Sequence, residues 1–333
     1  MTNSSLPSCP FIPGPMITDP QFFVGRKTEL EAITSRMTGA QPISINIVGK
    51  RSIGKSSLLY HFFQTYEQRV QNPNRYVGIY LDLQNSQCHD EIDFYHAVAR
   101  QLFNQPKVRS QRSLTRPFQV TSFDRQAFSA VLGEWKRQGV LPVLCLDEFE
   151  ALFHHPKQFD AGFFDNLRFL INGNSLMLVV ASHRKLDFYG KRYNLTSSFF
   201  NLAYVLTLGE LTEEEARELV SLPAKTGAPA ALRNDEQRLA RQWGGCHPYL
   251  LQLAGSLLWE ARQQKQKVGW AKAKFEQQAR RIPKGFWNIT SSAKYFGKTV
   301  SGIALLILVV AVVVSLVKQT QVLEALQKVL GKW

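Results

Sequence analysis

The sequence predicts an α/β fold: a parallel sheet with helices on both faces, followed by a helical lid and one apolar C-terminal helix. Three observations predict it. Five short apolar runs alternate with segments of helical period across residues 43–208. A glycine-rich loop suited to phosphate follows the first of these runs directly. From about Leu211 the pattern is helical, up to an uncharged run at 299–317. Strands alternating with helices favour parallel pairing through crossover connections.

Residues 1–20 are rich in Pro and Ser, show no apolar h-region of a secretory signal, and read as an extended arm. Residues 43–48 are apolar and rich in β-branched side chains, hence a buried strand, and 55–66 follow as a helix. Residues 76–83 (YVGIYLDL) form a second strand and 92–103 a second helix. Helical spacing returns at 123–137. Residues 141–146 (LPVLCL) form a third strand that ends at Asp147. A helix at 163–171 precedes a fourth strand at 176–181, and 203–208 make a fifth. In the lid, Thr212 is placed as an N-cap with Glu215 three residues on, the pattern of a capping box. A Pro/Gly/Ala break at 223–229 separates that helix from two more, at 235–243 and 248–264.

Residues 299–317 contain no charge, and at ~1.5 Å per residue they reach roughly 28 Å, about the thickness of a hydrocarbon core. Lys294, Lys298 and Lys318 flank the run at interface positions. Beyond it, Val322, Leu326, Val329 and Trp333 share one helical face, as in an interfacial helix. The expected division is therefore an arm at 1–20, a sheet domain at 21–209, a lid at 210–283, a linker at 284–298, a membrane-spanning helix at 299–317 and an amphipathic tail at 318–333. That anchors the chain in a membrane by a single pass, with the sheet domain in the cytosol.

Composition narrows the function classes. The four cysteines, Cys9, Cys88, Cys145 and Cys246, form no CxxC pair, which argues against a zinc site and suits a reducing compartment. His89, His154 and His155 lack a third ligand at metal spacing. The net charge of +14 is compatible with nucleic acid, anionic lipid or plain solubility and does not choose among them. Arg109, Arg112 and Arg116 lie in a polar insertion that reads as a solvated loop rather than a nucleic-acid contact.

The chemistry rests on two motifs. Residues 49–56, GKRSIGKS, match a P-loop between a strand and a helix. Gly49 and Gly54 permit a tight wrap. The backbone of Gly49, Lys50, Arg51, Ser52, Ile53, Gly54, Lys55, Ser56 and Ser57 then surrounds the phosphates at a helix N-terminus. Lys55 is assigned to the β- and γ-phosphates and Ser56 to Mg2+. LPVLCLDEFE supplies the second motif. Asp147, delivered to a strand's C-terminal end, is the second metal-facing group, and Glu148 orients or deprotonates the attacking water. At the end of the fourth strand, Ser182 is a candidate γ-phosphate sensor and Arg184 a candidate transition-state charge.

Two further segments carry a family resemblance. Phe22-Phe23-Val24-Gly25-Arg26 with Glu29-Leu30 resembles the FVGR-x-x-E-L element that opens archaeal-type and signal-transduction (STAND) AAA-like ATPases. Gly244-Gly245-Cys246-His247-Pro248-Tyr249-Leu250-Leu251-Gln252 resembles the GxHPYLLQ segment of their helical lid. The resemblance spans about residues 20–265 and implies ATP as ligand with Mg2+. It implies Val24, Gly25 and Arg26 on the adenine side and Pro248 as a lid contact. Many such ATPases place an arginine directly after the fourth-strand serine or threonine, where this chain has His183. The expected function is a membrane-anchored ATP-hydrolysing switch, slow and regulatory, assembling with copies of itself on ATP binding and acting on an unknown protein partner in a signalling or defence response. The alternatives are a nucleic-acid-associated ATPase related to origin-recognition proteins, weakened by the lack of a winged-helix pattern after the lid, and a membrane-bound protein-remodelling ATPase.

Overall fold

The structure, a computed structural model, describes residues 9–85, 88–120, 122–201 and 203–280. The linker, the uncharged run at 299–317 and the tail at 318–333 lie outside the described residues. Among the described residues no helix is long and apolar enough to cross a membrane.

Chain order is α1 (Lys27–Thr38), β1 (Ile45–Gly49), α2 (Lys55–Arg69), β2 (Tyr76–Asp82), α3 (Glu91–Phe103), α4 (Pro106–Arg109), α5 (Arg112–Thr115), α6 (Arg125–Arg137) and β3 (Leu141–Asp147). It continues with α7 (Ala161–Asn172), β4 (Met177–Ser182), α8 (Leu186–Arg192), β5 (Tyr204–Leu208), α9 (Glu213–Val220), α10 (Asn234–Gly244), α11 (Pro248–Gln263) and α12 (Val268–Ala279). The five strands are parallel and ordered β2-β3-β4-β1-β5.

Strand alternation divides the core into two layers. Ile45, Ile47, Val143, Cys145, Val179 and Ala181 face α1 and α2, while Val77, Ile79, Leu144, Leu146, Leu178 and Val180 face α3, α6, α7 and α8. Cys145 is buried in strand packing as its position suggests, and burial pushes its thiol up. Helix α2 is held by Leu58, Leu59, Phe62 and Tyr66 on one face. Truncating a fully buried ring such as Phe62 to alanine costs about 3–5 kcal/mol.

Caps set several helix starts. Asp90 accepts from Asp93 N–H at 2.8 Å, Asp124 from Gln126 and Ala127 N–H, and Asp160 from Phe163 N–H at 2.8 Å. The Thr212–Glu215 capping box at α9 is present in full. The insertion carrying Arg109, Arg112 and Arg116 differs from the expected loop. It folds into α4 and α5, which bury Val108 and Leu114, and Leu114 O accepts from Trp135 Nε1 at 3.0 Å. The three arginines themselves are exposed on this docked pair of turns.

The topology aligns the C-terminal ends of β3, β4 and β1, with Val48 opposite Ser182 and Leu146 opposite Val180. Sheet and helical segment belong to one compact unit, Met1–Ala279.

Candidate active site

The loop after β1 turns on residues with left-handed backbone. Ser52 has φ +60° and Gly54 φ +96°. A Cβ at Gly49 would lie 2.9 Å from Leu208 O, so the β1–β5 contact itself requires glycine. Gly54 ends the wrap and leaves the first N–H groups of α2 open to the cleft, where a helix N-terminus attracts anions. Lys55 is nearly buried, and its Nζ donates to Gly49 O at 3.1 Å and Lys50 O at 3.4 Å. Burial lowers its pKa, against the opposing pull of Glu148, Glu150 and Asp147. The ammonium is thus stored on loop carbonyls beside three carboxylates.

Asp147 closes β3 and is buried. Its Oδ2 accepts from the Tyr80 hydroxyl at 2.9 Å, its Oδ1 from Glu148 N–H at 3.0 Å, and it is hydrogen-bonded to the Ser56 side chain. Burial raises its pKa, and these bonds offset part of the rise. A hydroxyl in contact with a buried carboxylate is a hard-oxygen pair that fits Mg2+. Glu148 has φ +49°, which swings it out of the strand line toward the cleft. Burial raises its pKa, Glu150 and Asp147 add to the rise, and His183 and Lys55 oppose it.

Lys55, Ser56 and Glu148 face a cleft of about 510 Å³, bounded by the loop residues Arg51–Ser57, by Glu148 and His183, by Val24 and Arg26, and by Pro248, Tyr249 and Gln252 of α11. Six of the residues proposed from sequence are not in that lining: Gly49 and Lys50 at the start of the loop, Asp147 behind Ser56, and Ser182, Arg184 and Gly25. Ser182 does not line the cleft. Its hydroxyl donates to Arg184 O at 2.6 Å and accepts from Asn46 Nδ2 at 2.8 Å, which leaves it committed inside the sheet. Arg184 is exposed and lies over the Phe188 ring at 5.1 Å. Gly25 is absent from the lining and serves the chain reversal instead, with φ +73° and no room for a Cβ beside Glu215.

Arg26 borders the cleft, but its guanidinium is turned to the protein. It donates to Gly209 O at 2.7 Å, Glu210 O at 3.3 Å, Ile53 O at 3.3 Å and Glu29 Oε1 at 3.0 Å. Its N–H donates to Glu215 Oε1 at 2.5 Å. Arg26 thereby ties the phosphate loop, the end of the sheet and the first lid helix together. Nearby, His247 is buried before α11, and desolvation, with Lys50 and Arg26 adding to it, pushes its pKa down to about 4.

The arm supplies what sequence reasoning did not. Ile12, Gly14, Pro15, Met16 and Ile17 line the cleft. Ile12 N–H donates to Gln252 Oε1 at 2.9 Å and Ile17 N–H to Ser57 Oγ at 3.1 Å, so the arm bridges α11 and α2. Phe11 fills the space where a Cβ on Gly255 would lie. Tyr80, whose hydroxyl holds Asp147, was not foreseen either, because it gave only a strand signal.

A family model described as Novel STAND NTPase 1 matches residues 16–278. The chain belongs to the nSTAND1 family. It is a P-loop ATPase, as its motifs require. Among solved structures, this nSTAND1 chain is similar to a Walker-type ATPase of Pyrococcus abyssi at 16% identity and a TM-score of 0.57, over 85% of this chain and 79% of that one. It is also similar to the Aeropyrum pernix ORC2 protein at 13% identity and a TM-score of 0.55, over 77% of this chain and 72% of that one. These likenesses establish the shared fold. A search of curated proteins gave no match.

Proposed function

We propose that this nSTAND1 protein is a membrane-anchored switch that binds ATP between sheet and lid and resets by slow hydrolysis. One observation carries the reading: Lys55, the Ser56–Asp147 pair and Glu148 converge at one end of a cleft whose other side is α11 and the arm. A nucleotide in that cleft touches both halves at once. Its phosphates would take the N–H groups of the loop, and Lys55 would exchange the Gly49 and Lys50 carbonyls for β- and γ-phosphate oxygens. Ser56 and Asp147 would hold Mg2+, which when bound neutralises charge on those oxygens. Glu148 would orient the water that attacks the γ-phosphorus. Arg26 and Glu215 link the loop to the lid, so phosphate loss has a mechanical path to α9.

Residues 299–317 are the proposed anchor, on the strength of their length and lack of charge, with the ATPase in the cytosol. ATP-dependent assembly with further copies, and a signalling or defence output, follow from the resemblance to STAND ATPases. The test is Glu148→Gln, which keeps shape and removes the carboxylate. The expected result is retained ATP affinity with turnover lost; single-turnover hydrolysis at the wild-type rate would overturn the assignment of Glu148.

A further inference from the structure

His183 occupies a place for which the sequence offered only the observation that it displaces an arginine. In the structure it lines the nucleotide cleft beside Glu148 and Lys55. Glu150 does not line that cleft. It stands behind the wall, facing a second cavity with His89, His154 and His155. From there its Oε1 takes two donors from the same residue: the backbone N–H of His183 at 3.2 Å, and the ring Nδ1 in a very short contact. The other oxygen, Oε2, is buried and has no hydrogen-bond partner among the described residues, so the carboxylate's hydrogen bonds there both go to His183. Glu150 lies in a short helical turn, Phe149–His154, that begins right after the left-handed Glu148.

Two consequences follow. A carboxylate acceptor at Nδ1 requires the proton there, which fixes the tautomer of the neutral ring and its orientation. The ring so held places Nδ1 3.7 Å from Glu148 Oε2. Glu148 Oε2 is therefore flanked by an imidazole that cannot rotate without breaking the Glu150 contact.

We propose that His183 is a positioning residue for hydrolysis: gripped by Glu150, its imidazole holds Glu148 in the rotamer that faces the attacking water. The pair acts as one unit across the wall between the two cavities, with Glu150 fixing the ring that flanks Glu148. The inference rests on the reading of Glu148 as the water-orienting carboxylate.

The experiment is steady-state ATP hydrolysis and ATP binding by calorimetry on the full chain, for His183→Ala, His183→Asn, Glu150→Gln and the His183→Ala/Glu150→Gln double variant, beside Glu148→Gln. Misplacing a catalytic group costs up to about 100-fold, so His183→Ala is expected to lower kcat by about 10- to 100-fold. Its ATP affinity should stay within about twofold, since an interaction made only in the transition state leaves ground-state binding alone. His183→Asn should recover most of the loss, because the Asn amide nitrogen sits where Nδ1 does and donates to Glu150. The double variant should be no slower than the slower single one, because the two residues act together. Wild-type kcat in His183→Ala overturns the proposal, as does a loss of ATP affinity in place of kcat, failed rescue by asparagine, or multiplied effects in the double variant. If Glu148→Gln is inactive while His183→Ala is unimpaired, only this inference falls. If Glu148→Gln still turns over, the underlying reading falls with it.

Discussion

Replacing Arg26 with alanine should separate a clamp from a base contact. The resemblance to STAND ATPases places Arg26 by the adenine, whereas the residue is 4% exposed and its guanidinium donates to three backbone carbonyls and Glu29. Removing it leaves Ile53 O, Gly209 O, Glu210 O and the Glu29 carboxylate short of a donor. Each net hydrogen bond is worth about 0.5–1.5 kcal/mol, more where one partner is charged. The loss of one partner of a buried charge pair costs about 3–5 kcal/mol, and the two routes agree on about 3–5 kcal/mol in all. For a unit of this size that lowers Tm by about 6–12 °C. Arg26→Lys should recover only part, because a single ammonium cannot fork to Ile53 O and to the Gly209 and Glu210 carbonyls together. The assay is thermal and urea unfolding of nucleotide-free protein, with ATP titration alongside. Unchanged stability without nucleotide, together with lost ATP affinity, would refute the clamp and return Arg26 to the adenine.

Lys55→Ala should abolish ATP binding in a calorimetric titration, and unchanged affinity would remove the phosphate-loop assignment. Acid should destabilise the fold through His247 and His61, whose folded pKa values lie at about 4. The unfolded histidines take protons from about pH 6.5 downward, so stability is full above pH 6.5 and falls as pH drops toward 4. For the nearly fully buried His247 the loss reaches about 3 kcal/mol. Urea midpoints at pH 7 and 4.5 measure it, and a His247→Asn variant with the same pH slope would contradict that share. A chain cut after residue 290 should stay in solution and still bind ATP, while the full chain should stay with membranes after a carbonate wash. Release of the full chain into the supernatant would dismiss the anchor.

The strands were legible because β-branched apolar runs have few other uses, and the phosphate loop because strand, glycines and helix occur in sequence. Asp147 and Glu148 were legible for the same reason: a strand end has a known place in a parallel sheet. Helix α1 was overlooked although Leu30, Ile33 and Met37 carry its buried face at helical spacing. The fate of Ser182 was hidden, since it depends on strand order. Only when β1 lies beside β4 does Asn46 reach the Ser182 hydroxyl and fill it. A lone asparagine inside an apolar strand was the available signal. The arm's course had none, because an extended Pro-rich segment has no periodicity and finds its partners far along the chain.

That last separation has a consequence for how the molecule is made. The arm leaves the ribosome ahead of the sheet and the lid, yet Ile12 waits for Gln252, 240 residues later. At about 5–20 residues per second, that is roughly 12–48 s of synthesis during which the arm has no partner in α11. The sheet can be complete once β5 has emerged, so the phosphate loop takes shape on the nascent chain well before the cleft is roofed. Nucleotide capture is then a late event of biogenesis, and a chain stalled before α11 would carry a phosphate loop that never closes.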